Sequence, residues 1–149
     1  MISIPNYKDI NAKTVVFDLN GTLAVDGKVD NEIKDLLNEL NKKYNIVVLT
    51  ADTFGTIRRE FEGSDIIIEI IKNTEEKMNK AKKHAPYIGV GNGNNDINML
   101  KNAELGIAVI GKEGCSIKTL LSADIVVNNI MDAIYLLLNE KRMIATLRK

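Results

Sequence analysis

Short apolar, β-branched runs alternate along this chain with stretches in which apolar residues recur every three to four positions. Val15-Val16-Phe17, Ile46-Val47-Val48-Leu49, Ile66-Ile67-Ile68, Tyr87-Ile88-Gly89-Val90, Gly106-Ile107-Ala108-Val109-Ile110 and Asp124-Ile125-Val126-Val127 read as buried strands. Between them, Ile33, Leu36, Leu37 and Leu40 share one face of a helix over residues 30–43. Further helical patterns cover residues 53–62, 74–84, 94–101, 116–121 and 129–138. Strands that are apolar on both faces, alternating with helices, predict an α/β fold: a Rossmann-like, three-layer core with a central parallel sheet. Residues 2–10 predict a short antiparallel N-terminal β arm, and residues 139–149 a C-terminal tail. The whole chain, 1–149, reads as one domain.

In such a sheet, ligands bind beyond the carboxyl ends of the strands. Asp18 ends the first core strand, Thr50 the second and the loop from Gly91 to Asp96 the fourth. Three polar segments far apart in sequence are therefore expected in one crevice.

Composition narrows the partners. The formal net charge is zero, which gives no electrostatic footprint for nucleic acid or an anionic membrane. A single cysteine, Cys115, excludes an intrachain disulfide or a multi-cysteine metal site and fits a cytoplasmic location. No apolar run reaches the length of a membrane span, and the first residues lack the pattern of a signal peptide.

The strand-end residues carry the chemistry. A carboxylate at Asp18, followed by Gly21-Thr22, can attack phosphorus as a nucleophile or cap the turn after it. The N–H groups of Asn20, Gly21 and Thr22 can cradle phosphoryl oxygens. Thr50, backed by Ala51 and Asp52, can hold a phosphoryl oxygen, cap the next helix, or do both. Asp96 can bind Mg²⁺, a cation that takes hard oxygen ligands and favours sites shared with phosphate, or serve the helix N-terminus. A lysine is needed to offset phosphoryl charge; Lys77 is the choice, with Lys72 and Lys80 as alternatives. Gly89, Gly91 and Gly93 match a dinucleotide loop poorly, because the spacing of the third glycine is wrong. His84, the only histidine, reads as a helix C-terminal dipole partner rather than a base.

Asp18-Leu19-Asn20-Gly21-Thr22, then Thr50, a lysine, and Gly91-Asn92-Gly93-Asn94-Asn95-Asp96 resemble the four motifs of the haloacid dehalogenase-like (HAD) superfamily. Thr50-Ala51-Asp52 and the Gly91–Asp96 loop look most like the corresponding segments of the P-type ATPase phosphorylation domain. The stretches Leu105–Val109 and Ala123–Val127 resemble the part of that domain on the carboxyl side of the loop. The resemblance implies a capless HAD core and an Mg²⁺-dependent phosphohydrolase acting on a phosphorylated small molecule or nucleotide. In its terms Asp18 is the nucleophile. Thr50 and Lys77 hold the phosphoryl group, with Gly21, Thr22 and Ala51 beside them. Asp18, the Asn20 carbonyl, Asn92 and Asp96 hold the metal.

Two positions depart from the family. Asn20 stands where HAD phosphatases have an acid/base Asp, a group worth about 10²- to 10⁴-fold, so slow turnover is expected. Asn92 stands where a loop Asp binds Mg²⁺, so weaker metal binding is expected. Both asparagines precede glycine, a pair prone to deamidation that would restore both acids. No cap or nucleotide domain fits between the motifs, so the crevice should be open; the residues 134–138 and 141–145 are either a contact for a second copy or a last core helix with a frayed end. The rival expectation is a catalytically silent scaffold that binds phosphate or a partner.

Overall fold

A computed structural model describes residues 1–51 and 56–149. Asp52 and the start of the helix expected from residue 53 lie outside the described residues. Six parallel strands form one sheet: β3 (Thr14–Asp18), β4 (Asn45–Thr50), β5 (Ile67–Ile70), β6 (Tyr87–Gly91), β7 (Leu105–Val109) and β8 (Ile125–Val127), ordered β5-β4-β3-β6-β7-β8. The chain winds outward from β3 to β5 and then returns to lay β6 on the other side of β3. The boundary between β3 and β6 is therefore the topological switch point. Their register pairs Phe17 with Val90, which sets the last residues of both strands side by side.

The alternation of side chains sorts two cores. Val15, Phe17, Ile46, Val48, Ile88, Val90, Ile107 and Val109 point to one face. There they meet α1 (Asn31–Asn41) through Ile33, Leu37 and Leu40, and α6 (Ile130–Leu138) through Ile134 and Leu137. Ile57 and Phe61, in and just after α2 (Thr56–Glu60), join this core. Val16, Val47, Leu49 and Tyr87 point the other way. They pack against α3 (Thr74–Lys82) and α4 (Ile97–Lys101); α5 (Ile117–Ser122) lies beside α4. The result is the three-layer α/β core expected from strands apolar on both faces alternating with helices.

The N-terminal arm is the antiparallel pair β1 (Ile2–Ile4) and β2 (Lys8–Ile10). Its apolar positions Ile2, Ile4 and Ile10 join the α1/α6 core. Asp124 fastens the arm to the sheet. It accepts hydrogen bonds from the Tyr7 hydroxyl and the Gly106 N–H, and pairs with Lys8. These donors hold its carboxyl below the ordinary range although burial opposes them.

Three expectations are adjusted. The third strand runs from Ile67 to Ile70 rather than over 66–68, because Glu69 continues the pairing with Leu49. The tail is not frayed: Glu140–Leu147 form α7, whose Met143 is completely buried against the arm and α6. Ile134, Leu137 and Met143 are spent inside the chain, so they offer no contact to a second copy. Among the described residues no helix is long and apolar enough to cross a membrane.

Candidate active site

The first core strand ends on Asp18, which is 7 % exposed. Strand alternation puts it on the same side of the sheet as Val16, the side covered by α3 and α4. Lys77 rises to it from the first half of α3, where Asn73 caps the helix by accepting from the Glu76 N–H. Lys77 Nζ donates to Asp18 Oδ1 at 2.7 Å and lies 2.5 Å from Asp96 Oδ1. Lys77 is 1 % exposed and Asp96 wholly buried. Neither Lys72 nor Lys80 fills this place: Lys80 binds the Ile70 carbonyl and Glu76, and Lys72 is exposed.

Two carboxylates and one ammonium meet in this buried cluster. Burial raises the Asp18 pKa to about 7, and the Asp96 charge adds to the rise, while Lys77 and Thr22 oppose it. Burial alone would lower Lys77, but the two carboxylates outweigh it and hold the ammonium above its ordinary value.

Asp96 is fitted into its place by the loop before it. Its Oδ2 accepts from the N–H groups of Asn92 and Gly93, both at 3.0 Å. A Cβ on Gly91 would fall 2.6 Å from the Asp96 carboxyl carbon, so only glycine leaves room for that side chain. The Asp96 Oδ1 has the ion pair with Lys77 but no donor aligned for a hydrogen bond.

The turn after Asp18 is closed on itself. The Leu19 carbonyl accepts from the N–H groups of Thr22, Leu23 and Ala24, and the Gly21 N–H donates to Ala24. The N–H groups of Gly21 and Thr22, expected to cradle phosphate, are thus already engaged in the turn. Gly21 takes φ +79°, and a Cβ there would meet the Asn92 side chain at 2.4 Å. The Thr22 hydroxyl is buried 3.3 Å from both Asp18 Oδ2 and Asn92 Oδ1. The Asn20 side chain is exposed. Thr50, at the end of β4, is buried and accepts the Ile71 N–H on its carbonyl; Ala51 is exposed beside it.

Sequence reasoning missed the loop after β7. Asn92 Nδ2 donates to the Gly114 carbonyl at 3.1 Å, the Ser116 N–H donates to the Asn92 carbonyl, and buried Thr119 donates to Gly93. This loop also leaves a strand at its carboxyl end, so the strand-end rule pointed to it, but its contacts run through backbone atoms that no residue pattern advertises. Cys115 sits between the two clamping residues, and burial, then the Asp96 charge, raises its thiol pKa. His84, just past the carboxyl end of α3, contacts Glu69; it lines a shallow depression with Lys13 and Thr14, at the amino ends of the strands.

Deamidation needs the following backbone nitrogen to attack the asparagine amide. Here the Gly21 N–H is held by Ala24 and the Gly93 N–H by Asp96, which opposes the reaction at both Asn-Gly pairs.

A cleft of about 490 Å³ opens on the other side of the 21–28 flap. It is walled by Leu23, Val25, Lys28, Ile33, Lys112 and Met131 and shares Gly21 and Thr22 with the buried cluster.

The donor set suits a small hard cation. Asp18 Oδ2 and Asn92 Oδ1 both face Thr22, and the bond to Gly114 fixes the amide with its oxygen toward the Thr22 hydroxyl. Among the described residues no group of three His, Cys, Asp or Glu side chains could hold a metal; the amide stands where a further acid would complete one.

A buried Asp–Lys–Asp cluster at the switch point of a β5-β4-β3-β6-β7-β8 sheet is the arrangement of the HAD fold, and solved structures bear out the likeness. The cobalt-bound deoxy-D-mannose-octulosonate 8-phosphate phosphatase of Haemophilus influenzae superposes with a TM-score of 0.69 at 17% identity, over 93% of this chain and 94% of that one. The corresponding phosphatase of Moraxella catarrhalis, in complex with magnesium and phosphate ions and a KDO molecule, gives 0.62 at 20% identity over 92% and 94%. A zinc-transporting PIB-type ATPase gives 0.64 at 22% identity over 80% of this chain, which spans 20% of that protein. No family model matches. The chain belongs to the same family as the uncharacterized protein MJ0073 of Methanocaldococcus jannaschii, with 50% identity over 92 residues, 62% of this chain and 97% of MJ0073.

Proposed function

We propose that the chain is a slow, Mg²⁺-dependent phosphohydrolase that works through an aspartyl-phosphate on Asp18. The observation that carries this reading is the meeting of Asp18, Lys77 and Asp96 within 2.7 Å at the ends of β3 and β6. Asp18 attacks phosphorus, the bond to the leaving oxygen breaks, and that oxygen takes a proton from solvent. Water then attacks the phosphoryl group, the bond to Asp18 breaks, and inorganic phosphate leaves with the carboxylate restored. Lys77 offsets phosphoryl charge in both steps, and Asp96 holds the lysine in place. Thr50, Ala51 and the turn through Asn20, Gly21 and Thr22 border the phosphoryl group. Asp18, the Asn20 carbonyl and Asn92 would hold Mg²⁺, with Asp96 supporting them through the Asn92 N–H and Lys77; when bound, the ion would polarise the phosphoryl oxygens as a Lewis acid.

Asn20 explains the slowness. Its amide cannot exchange a proton with the leaving group or the attacking water, and its exposure leaves that work to solvent. The substrate class is a phosphorylated small molecule or nucleotide, reached through a crevice that no cap covers among the described residues. This chemistry suits the cytoplasm.

A panel of phosphoesters, ATP and acetyl phosphate with Mg²⁺ tests the reading beside Asp18→Asn and Asn20→Asp. Turnover abolished by the first and raised about tenfold or more by the second is expected, given the worth of a general acid–base group. Absence of turnover together with failure to trap beryllium fluoride at Asp18 overturns it in favour of a silent binding scaffold.

A further inference from the structure

We propose that this site takes its divalent cation and its phosphoryl group as an interdependent pair, because the Asn92–Gly114 contact fixes a neutral ligand where a carboxylate would otherwise bind the cation. The inference rests on the phosphoryl-transfer reading of the Asp18 site.

With Asp18 ionised, the charges in direct contact, those of Asp18, Asp96 and Lys77, sum to minus one. Asp96 is already committed: its Oδ2 serves two backbone N–H groups, and its Oδ1 faces the Lys77 ammonium. It is wholly buried. One carboxylate, Asp18, is left to face a cation among the described residues, and Lys77 leans on that one too. A dication entering alone is therefore poorly compensated in a desolvated site. A phosphoryl dianion entering alone meets two buried carboxylates and a single lysine. Together the two ligands neutralise each other.

The surroundings of Asn92 use its amide. Its Nδ2 hydrogen satisfies the Gly114 carbonyl at 3.1 Å. An aspartate in the same rotamer would set two oxygens against each other at that distance. The same clamp binds the Asn92 backbone carbonyl through the Ser116 N–H, so amide and loop hold one geometry. The Thr22 hydroxyl, 3.3 Å from both Asp18 Oδ2 and Asn92 Oδ1, marks the place where the oxygens converge.

Linkage makes the coupling reciprocal: whatever factor phosphate adds to the cation's affinity, the cation adds to phosphate's. Calorimetric titration of the whole protein with Mg²⁺, in the absence and presence of inorganic phosphate, reads this factor directly once free Mg²⁺ is corrected for the solution complex. The expected result is a gain of at least about tenfold, matched in the reverse titration. In Asn92→Asp, Mg²⁺ binds more tightly without phosphate and the coupling shrinks, while alkylation of Cys115, the only cysteine, becomes faster as the loop is pushed off. Binding of both ligands with a coupling below about twofold overturns the inference and leaves the functional reading standing. Binding of neither ligand overturns the functional reading and this inference with it. Should Asn92→Asp fail to fold, the wild-type titrations decide alone.

Discussion

Asp18 is asked to be a carboxylate in a place that disfavours charge. Its pKa rises from 3.8 to about 7 through burial and the nearby Asp96. A raised folded-state pKa means that the folded protein holds its proton longer than the unfolded chain. The associated stability is full below pH ~4 and is lost as the pH climbs through ~7. Metal-free protein should therefore melt lower at pH 8 than at pH 5 by this contribution. Asp18→Asn removes it: the amide oxygen still accepts from Lys77, and Lys77 keeps Asp96 as its counter-charge. We expect Asp18→Asn to stabilise the metal-free protein at pH 8 by about 2 kcal/mol, on the scale of 1.36 kcal/mol per pKa unit with allowance for the retained pairing. Urea unfolding in chelator at pH 5 and pH 8 measures it; equal midpoints for the two proteins at pH 8 would show that Asp18 is not strained in this way.

At the level of elements, the site is the product of two strand ends, of helix α3 that precedes β6, and of the turn that comes after β6. The end of β6 carries Gly91 so that Asp96, one turn later, can lie back against the strand. Gly91→Ala places a methyl group 2.6 Å from the Asp96 carboxyl carbon, and the carboxylate must move off Lys77. Stability should fall by about 1–3 kcal/mol, the usual cost of overpacking, and beryllium fluoride trapping at Asp18 should weaken at least about tenfold, the loss of a charge-assisted contact. Retained trapping would separate Asp96 from the function of Lys77. The continuous apolar strands and the strand-end rule made the strand-end positions of Asp18, Thr50 and the Asp96 loop legible from the sequence, and Lys77 was reachable by its place on α3. The clamp at Gly114 and Ser116 was not, because it is made by a carbonyl and an N–H whose positions depend on how the loop after β7 folds back. Helix α7 was hidden for a different reason: it has eight residues, and a polar first turn that reads like a tail. Its burial comes from the arm and α6, elements distant in sequence that no local pattern connects.

Those distant contacts tie the whole molecule into one unit. The arm, α1, α6 and α7 share a core with the inner face of the sheet. The ends of the chain also meet: the Lys149 N–H donates to the Pro5 carbonyl, and Asn6 Nδ2 donates to the Lys149 carbonyl. The Asp18–Lys77–Asp96 cluster sits on the opposite face, at the carboxyl end of the sheet. We therefore expect the intact chain to unfold in urea in a single transition, followed alike by far-ultraviolet dichroism and tyrosine fluorescence. Removing residues 140–149 uncovers the Met143 site and cuts the tie to Pro5 and Asn6. Loss of a buried methionine costs about 2–5 kcal/mol, and the truncated chain should still melt cooperatively at a lower midpoint. A second transition, or an unchanged midpoint, would mean that arm and tail are appendages. If the truncated chain retains beryllium fluoride trapping under conditions where it is folded, the α7 face serves stability and the Asp18 face serves chemistry. That division would arise from the topology, since the switch point aims the ligands away from the edge that closes the termini.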